Sequence, residues 1–400
     1  MDAFFASVEV LDHPDWRGKP LIVGAGPHER GVVSTCSYEA RAFGVHSAMP
    51  SRTAYARCPQ AVFATPRMAR YHEVSEQAFS VFARYSPFVE AVSIDEAFLD
   101  ITGTLHLYAR PGEPSGAPAA MRRLGEALRR DIRATCGVTC SVGIAPNRLL
   151  AKIGSELRKP DGLSILPFDP DEVAAFLAPR PLNLLWGFGK KTEAQLRPYG
   201  LVTCGDLQRL DPDTARRIVP DGLRDLAFGR SDDRVYWEER AEKSVSREHT
   251  FDADVFDRAT VRAKLLELAA EVGRSFRRER RWARTVRIKL RDSAFATLTR
   301  QTGLDRPARD DVTFRTAALR LFDKVLDPHA AHLANGVRLV GFGVADFQDS
   351  PDSGQGLLFD DPDDTRRDKF ERLSRALDRL HDHGLRAGAL VTPPDGATTT

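Results

Sequence analysis

The spacing of apolar and polar positions lays out the elements of the chain. Residues 20–26 and 138–144 are short apolar runs bounded by Gly, Pro or polar residues, which predicts buried strands. Residues 31–50 read as a strand followed by a helix, and residues 69–85 repeat their apolar side chains at helical spacing. Two further runs, 89–94 and 97–101, predict two short buried strands joined by a tight turn. Beyond a Pro- and Gly-rich loop at 110–120, a helix from about residue 122 aligns Leu124, Ala127, Leu128 and Ile132 in one stripe, and Gly137 ends it. Pro146 and Asn147 open the next helix, which carries Arg148 and Lys152 and stops at Lys159 and Pro160.

From about residue 161 the periodicity is helical and the connections are short, which marks a domain boundary. After an acidic and aromatic connector at 236–242 the period changes to two. Residues 243–251 and 283–300 alternate, as in Thr285, Val286, Arg287, Ile288, Lys289, Leu290 and Arg291, so one strand face is core and the other cationic. Helices at about 258–281 and 312–327 separate the strands, and residues 337–344 supply another. The tail from about 347 is polar except for an apolar island, Gln355 to Phe359, and then reads as a charged helix at about 365–382. An apolar island in a polar tail suits docking on a partner.

Length adds that the chain exceeds one ordinary core and divides into roughly two to four domains. No window approaches the ~18 consecutive apolar residues of a membrane span, and no charged-then-apolar leader opens the chain, so a cytoplasmic protein without membrane contact is expected. Cys36, Cys58, Cys136, Cys140 and Cys204 are scattered and form no CxxC, which points to reduced structural thiols and not to disulfides or zinc. The net charge of +2 hides an uneven distribution, because residues 241–300 hold 15 Lys and Arg against 9 Asp and Glu. The cationic strand face there, with Arg287, Lys289, Arg291 and Arg300, suits a nucleic-acid backbone, and a merely solvated face is the alternative.

Three clusters carry candidate chemistry. In SIDEAFLD, Asp95 and Glu96 interrupt an apolar run at the predicted turn, where paired carboxylates suit a hard divalent cation; a solvated hairpin turn is the other reading. Thr35, Tyr38 and Arg41 can present a hydroxyl, a phenol and a guanidinium to a triphosphate, or they are a surface salt bridge and a half-buried tyrosine. In LLWGFGKKTEAQLRPYGLVTCGDL, Gly187, Gly189, Lys190 and Lys191 precede a helix in the helix-hairpin-helix pattern, which binds phosphate without reading bases. A plain helical turn would be the structural alternative.

Together the motifs resemble the Y-family translesion DNA polymerases of the bacterial polymerase IV type, over roughly residues 1–346. MDAFFASVE, STCSYEARAFGVHSAMP, SIDEAFLDITG, CSVGIAPNRLLAKIGSELRKPDG, the helix-hairpin-helix and KSVSREHTF occur in that family's order. The resemblance implies an α+β multidomain right hand. Its palm would be residues 1–6 and 68–160, its fingers 7–67, its helical thumb 161–238 and its α/β little finger 243–346, followed by a tail at 347–400. It implies Asp95 as ligand to two Mg2+ ions and Glu96 as ligand to one. It also implies Phe5 as the steric gate against a ribose 2′-hydroxyl, and Phe4, Thr35, Tyr38, Arg41 and Lys159 as dNTP contacts. Gln355, Leu358 and Phe359 resemble the peptide that such enzymes insert into the sliding clamp, although Gly356 replaces the commoner leucine. Primed DNA, dNTPs and the clamp are the implied partners of a monomer.

One departure bears on mechanism. The family carries an aspartate, any residue and a second aspartate before the aromatic pair; the first, a metal ligand on a central palm strand, would stand one position before Met1, while Met1 matches the middle residue and Asp2 the second aspartate, which is not the usual ligand. Two expectations follow: an active enzyme whose polypeptide starts upstream, or a catalytically weakened homologue serving as a DNA- and clamp-binding scaffold. Without that strand its neighbours' edges would be exposed, and the palm centre is expected to lack lysine. A metal-dependent nuclease is a third, remoter reading, and no histidine accompanies the acids in a motif to support it.

Overall fold

A computed structural model describes residues 1–114, 116–238, 241–278, 280–325, 335–349 and 362–382, with side chains from residue 369 in the last segment. The chain divides into two compact units, Met1–Glu239 and Arg240–Thr400.

The first unit opens on α1 (Phe4–Asp12), which starts directly after Ala3, a residue in the left-handed region at φ 43°. Strands β1 (Leu21–Gly24), β2 (Val33–Cys36) and β3 (Val62–Ala64) form a sheet in the order β2-β1-β3, with β1 antiparallel to β2 and parallel to β3. Helix α2 (Tyr38–Arg41) is capped by the Ser37 hydroxyl, and together with α3 (Ser51–Arg57) it adds Ala40 and Ala54 to a small core around Ile22 and Val33. Helix α4 (Met68–Phe82) packs in a larger core with α1. Hairpin strands β4 (Val89–Ala91) and β5 (Ala97–Leu99) border that core, and α5 (Pro118–Cys136) and β6 (Val142–Ile144) contribute to it.

Helix α6 (Arg148–Leu157) then faces two ways. Leu149, Leu150 and Ile153 lie in a third core shared with α7 (Pro170–Leu177), α8 (Lys190–Leu196), α9 (Cys204–Arg209), α10 (Pro212–Ile218) and α11 (Leu223–Ala227). Arg148 and Lys152, one turn apart on the other side, reach the β4–β5 hairpin. Before α7 the chain returns through β7 (Leu163–Ile165), parallel to β6.

Several boundaries differ from the sequence reading. Strand β7 lies beyond residue 161, so the helical region begins later than expected; its run of three residues is too short to register as a period. Helix α5 starts at Pro118, since proline is at home in a first helical turn. The hairpin strands are half-buried and not buried, and of residues 138–144 only the last three form a strand.

Ion pairs, one of them anchored on a buried carboxylate, fix α1 to α4. Glu9, 1% exposed, accepts from Arg67 at 2.8 Å and from the Tyr71 hydroxyl at 2.6 Å, and Asp12 pairs with Arg67 and Arg70. Arg70, followed by Arg67, holds the Asp12 carboxyl below the usual range against its burial.

In the second unit, β8 (Ser244–Val255), β9 (Trp282–Asp292), β10 (Thr297–Ala308) and β11 (Val337–Gln348) form an antiparallel sheet in the order β10-β9-β11-β8. Helices α12 (Arg258–Arg278) and α13 (Asp311–Val325) bury Leu265, Phe276, Phe314 and Phe322 against Val286, Ile288, Val340 and Phe342. The alternation predicted for residues 283–300 is thus a hairpin, its strands joined through 293–296. Helix α14 (Pro362–Asp382) is tied to this layer by Asp378, which pairs with Arg277 at 2.6 Å, and by the Ser374 hydroxyl, which accepts from the Asp311 amide.

Among the described residues no helix is long and apolar enough to cross a membrane. All five cysteines are buried and free, and burial pushes the Cys140 thiol up to about 12 and the Cys204 thiol up to about 11. Replacing Phe276, fully buried between Phe314 and Phe347, by Ala should destabilise the second unit by about 3–5 kcal/mol. Denaturant unfolding of the full chain checks this, with the loss confined to one transition.

Candidate functional site

The acidic turn is built by its own backbone. The amides of Val92 and Ser93 both donate to the Glu96 carbonyl, closing the loop between β4 and β5 so that Asp95 and Glu96 stand at its tip. The Ser93 hydroxyl donates to Asp95 Oδ1 at 2.7 Å. The Met1 ammonium reaches the Asp95 carbonyl. Adjacent carboxylates that share one turn fit a magnesium ion, which keeps waters and takes its remaining oxygens from a bound substrate. Among the described residues no group of three or more His, Cys, Asp or Glu is arranged to hold a metal.

A cavity runs from the turn between the two small sheets. Its polar wall holds Asp95, Glu96, Lys152, Ser155 and Lys159, and its apolar walls include Phe98 and Leu99 from β5 and Val142 and Ile144 from β6. Strands β5 and β6 each belong to a two-stranded sheet, and both line this groove. The expectation of a lysine-free centre is overturned. Lys152 Nζ bonds Glu96 Oε1 directly and lies 3.3 Å from Glu156, which in turn pairs with Lys159 at 2.8 Å. Helical spacing of four carries Lys152 and Glu156 on one side of α6, and alternating charges follow. Burial works against the charge on Lys152, but Glu96 and Glu156 outweigh it and hold the ammonium above the usual lysine range.

The predicted phosphate contacts partly converge. Arg41 stacks on the Tyr38 ring with its guanidinium carbon 4.7 Å from the centre, and the Tyr38 hydroxyl is buried with no partner among the described residues. Burial raises the Tyr38 phenol, as does the field of Asp2 and of Glu156, the residue that pairs with Lys159. An orphaned buried hydroxyl beside an exposed guanidinium suits a phosphate oxygen. Thr35 lies half-buried on β2.

The aromatic pair separates. Phe5 lies half-buried and stacks on Tyr71 with ring centres 4.2 Å apart, and Glu9 anchors the Tyr71 hydroxyl in turn. Phe4 is 3% exposed in the core, so its ring does not face a nucleotide; successive helical residues point about 100° apart. Asp2 is 1% exposed and accepts from the Ser141 hydroxyl and the Asp161 amide, both at 2.8 Å, which makes it a structural carboxylate. Nothing local in the sequence revealed that role, because its partners lie some 140 and 160 positions away.

Two further surfaces match the nucleic-acid reading. Gly187, at φ +78°, and Gly189 border open space, so a phosphate can approach their backbone, and Lys190 and Lys191 are exposed beside them. On the outer face of the second unit's sheet, Arg287, Lys289 and Arg291 line β9. Gln301, Glu248 and Thr297 hold them at 2.8 Å each. Arg300 does not share this face. It pairs across the ladder with the core-facing Ile288, so an even-numbered residue of β10 points to the helix side while the odd-numbered cations point away. Gln355, Leu358 and Phe359 lie outside the described residues.

Comparison with known proteins extends these observations. The impB/mucB/samB family matches residues 1–156, its C-terminal domain matches residues 242–358, and the HHH motif of the same family matches residues 170–201. A DNA polymerase IV of Desulfatibacillum aliphaticivorans is 40% identical over 384 residues, covering 96% of this chain and 92% of that protein. One from Methanoculleus marisnigri is 42% identical over 345 residues, covering 85% and 92%. The fold resembles that of a solved Y-family DNA polymerase chimera at a TM-score of 0.74, with 24% identity over 86% of this chain and 96% of that one.

Asp2→Ala would remove the acceptor of the half-buried Asp161 amide and Ser141 hydroxyl. The expected cost is about 1–3 kcal/mol, read as a lowered thermal midpoint with the second unit unaffected.

Proposed function

This chain belongs to the impB/mucB/samB family of Y-family DNA polymerases, and we propose that it is a DNA-directed DNA polymerase of the polymerase IV type that extends primers past damaged template bases. The observation that carries this reading is the convergence of Asp95, Glu96, Lys152 and Lys159 on one cavity. The family depends on divalent metal, and here Asp95 and Glu96 would hold two Mg2+ ions. Bound there, the metal supplies Lewis acidity for the primer 3′-hydroxyl and charge neutralisation for the leaving pyrophosphate.

The chain's own residues position the reactants. Arg41 and Lys159 bind the triphosphate through charge, Tyr38 donates its free hydroxyl, and Thr35 adds a second one. Lys152 orients Glu96 and offsets the repulsion between the adjacent carboxylates. Phe5, backed by Tyr71, closes the space beside the sugar's 2′ position. The proposal assigns palm to residues 1–6 and 68–160, fingers to 7–67, thumb to 161–238 and little finger to 243–346. Gly187, Gly189, Lys190 and Lys191 would grip one stretch of the DNA backbone. Arg287, Lys289 and Arg291 would grip another, with phosphate contacts supplying affinity and not sequence preference. Gln355, Leu358 and Phe359 are assigned to the sliding clamp.

Extension of a primed template with dNTPs and magnesium tests the activity. Asp95→Ala should lower the incorporation rate by on the order of 100-fold or more, since several kcal/mol of charge stabilisation are lost. A parent chain that binds primed DNA and does not extend it would favour the scaffold reading instead. Phe5→Ala should admit ribonucleotides, with the preference for dNTP over rNTP falling at least tenfold in single-nucleotide insertion; unchanged sugar selectivity rejects the gate.

A further inference from the structure

The half-buried cation Arg148 is used by none of the steps above. Its Nη2 donates to Glu90 Oε1 at 2.8 Å, and the other Glu90 oxygen accepts from the Tyr236 amide at 2.9 Å. Glu90 is 8% exposed and the Arg148 side chain 18%. The guanidinium carbon lies 4.9 Å from the ring centre of Phe98, 5.3 Å from Tyr236 and 5.7 Å from Trp186. Phe98 and Trp186 meet edge to face at 6.1 Å. Only a planar cation can face three rings and still bond a carboxylate, so lysine is not equivalent here.

The contacts come from four places in the chain. Glu90 and Phe98 oppose one another across β4 and β5, the hairpin whose turn holds Asp95 and Glu96. Trp186 immediately precedes Gly187 of the glycine loop, and Tyr236 belongs to the connector. One turn further along α6, Lys152 reaches Glu96, so α6 touches the hairpin at its strands through Arg148 and at its tip through Lys152.

We propose that Arg148 is a positioning residue that locks the carboxylate-bearing hairpin to α6 and registers it against the glycine loop through Trp186. The inference rests on the polymerase reading for its purpose and on the contacts alone for its geometry. Backbone phosphate bound at Gly187 and Gly189 and metal bound at Asp95 and Glu96 would then be held at one fixed separation.

Amide hydrogen exchange on the full chain tests the lock without requiring activity. In Arg148→Lys, exchange across residues 92–97 should accelerate about tenfold, while α5 and the second unit exchange as in the parent. Trp186→Leu should give a smaller acceleration at the same residues. Single-turnover incorporation should fall about tenfold at saturating dNTP, with the affinity for primed DNA changed less than twofold. Unchanged exchange at 92–97 in Arg148→Lys overturns the proposal, and so does acceleration spread evenly over the first unit. A parent chain that cannot extend primers overturns the polymerase reading separately, and the exchange result still decides the role of Arg148.

Discussion

Two carboxylates on neighbouring residues repel one another, and a turn that holds both has to find cations within a few ångströms. At the tip of the β4–β5 hairpin that cation is Lys152, bonded to Glu96, and the Glu156 and Lys159 side chains continue the alternation away from the turn. The pairs are partly exposed, so each is worth little as stability. Their consequence is geometric. Lys152 reaches Glu96 only if α6 lies alongside the hairpin, and α6 is held there by Leu149, Leu150 and Ile153 in the adjoining helical core. Asn147 fixes its start, capping the Leu150 amide while its own amide group donates to the Gly229 carbonyl.

The acids near the start of the chain show how burial sorts carboxylates into roles. Asp2 and Glu9 are almost fully buried and have their oxygens bonded to protein donors, Asp2 to Ser141 and Asp161, Glu9 to Arg67 and Tyr71. They have little capacity left for a ligand, and removing a partner would strand a charge in the interior. Asp95 and Glu96 are half-buried, and among the described residues the Asp95 side chain is bonded only to a serine hydroxyl. A cation arriving with its own waters could complete their coordination. The Glu9 network also reaches a predicted specificity residue, because the tyrosine it fixes is the surface on which Phe5 rests.

Much of this was legible in the chain where the signal is local. The turn carrying Asp95 and Glu96, the Gly137 cap at φ 69° and the glycine pair ahead of α8 each follow from a few adjacent residues. The two-residue period foretold the cationic face of β9, and the same period, counted through the 293–296 turn, would have excluded Arg300. What could not be read depends on distant contacts. Strand β7 exists because β6 is there to pair with it, Phe4 and Phe5 part because the segment is helical, and Lys152 meets Glu96 across 56 positions. The aromatic surroundings of Arg148 come from three separate stretches, and nothing within any one of them signals that they meet.

The two-sided burial of α6 has a consequence for modularity. The change in periodicity near residue 161 invites the view that the helical region is a cassette, separable from the sheet region at that point. The cores do not respect that line: α6 lies before it, yet its apolar side completes the helical core beyond it. A chimera joined at 160 would give the incoming helices a foreign Leu149, Leu150 and Ile153, whereas one joined ahead of Asn147 would carry the native trio but bring Arg148 and Lys152 to a hairpin they did not evolve with. Exchange between relatives therefore has to move α6 together with Glu90, Glu96 and Phe98, which makes the acidic hairpin and the helical region a single unit of inheritance.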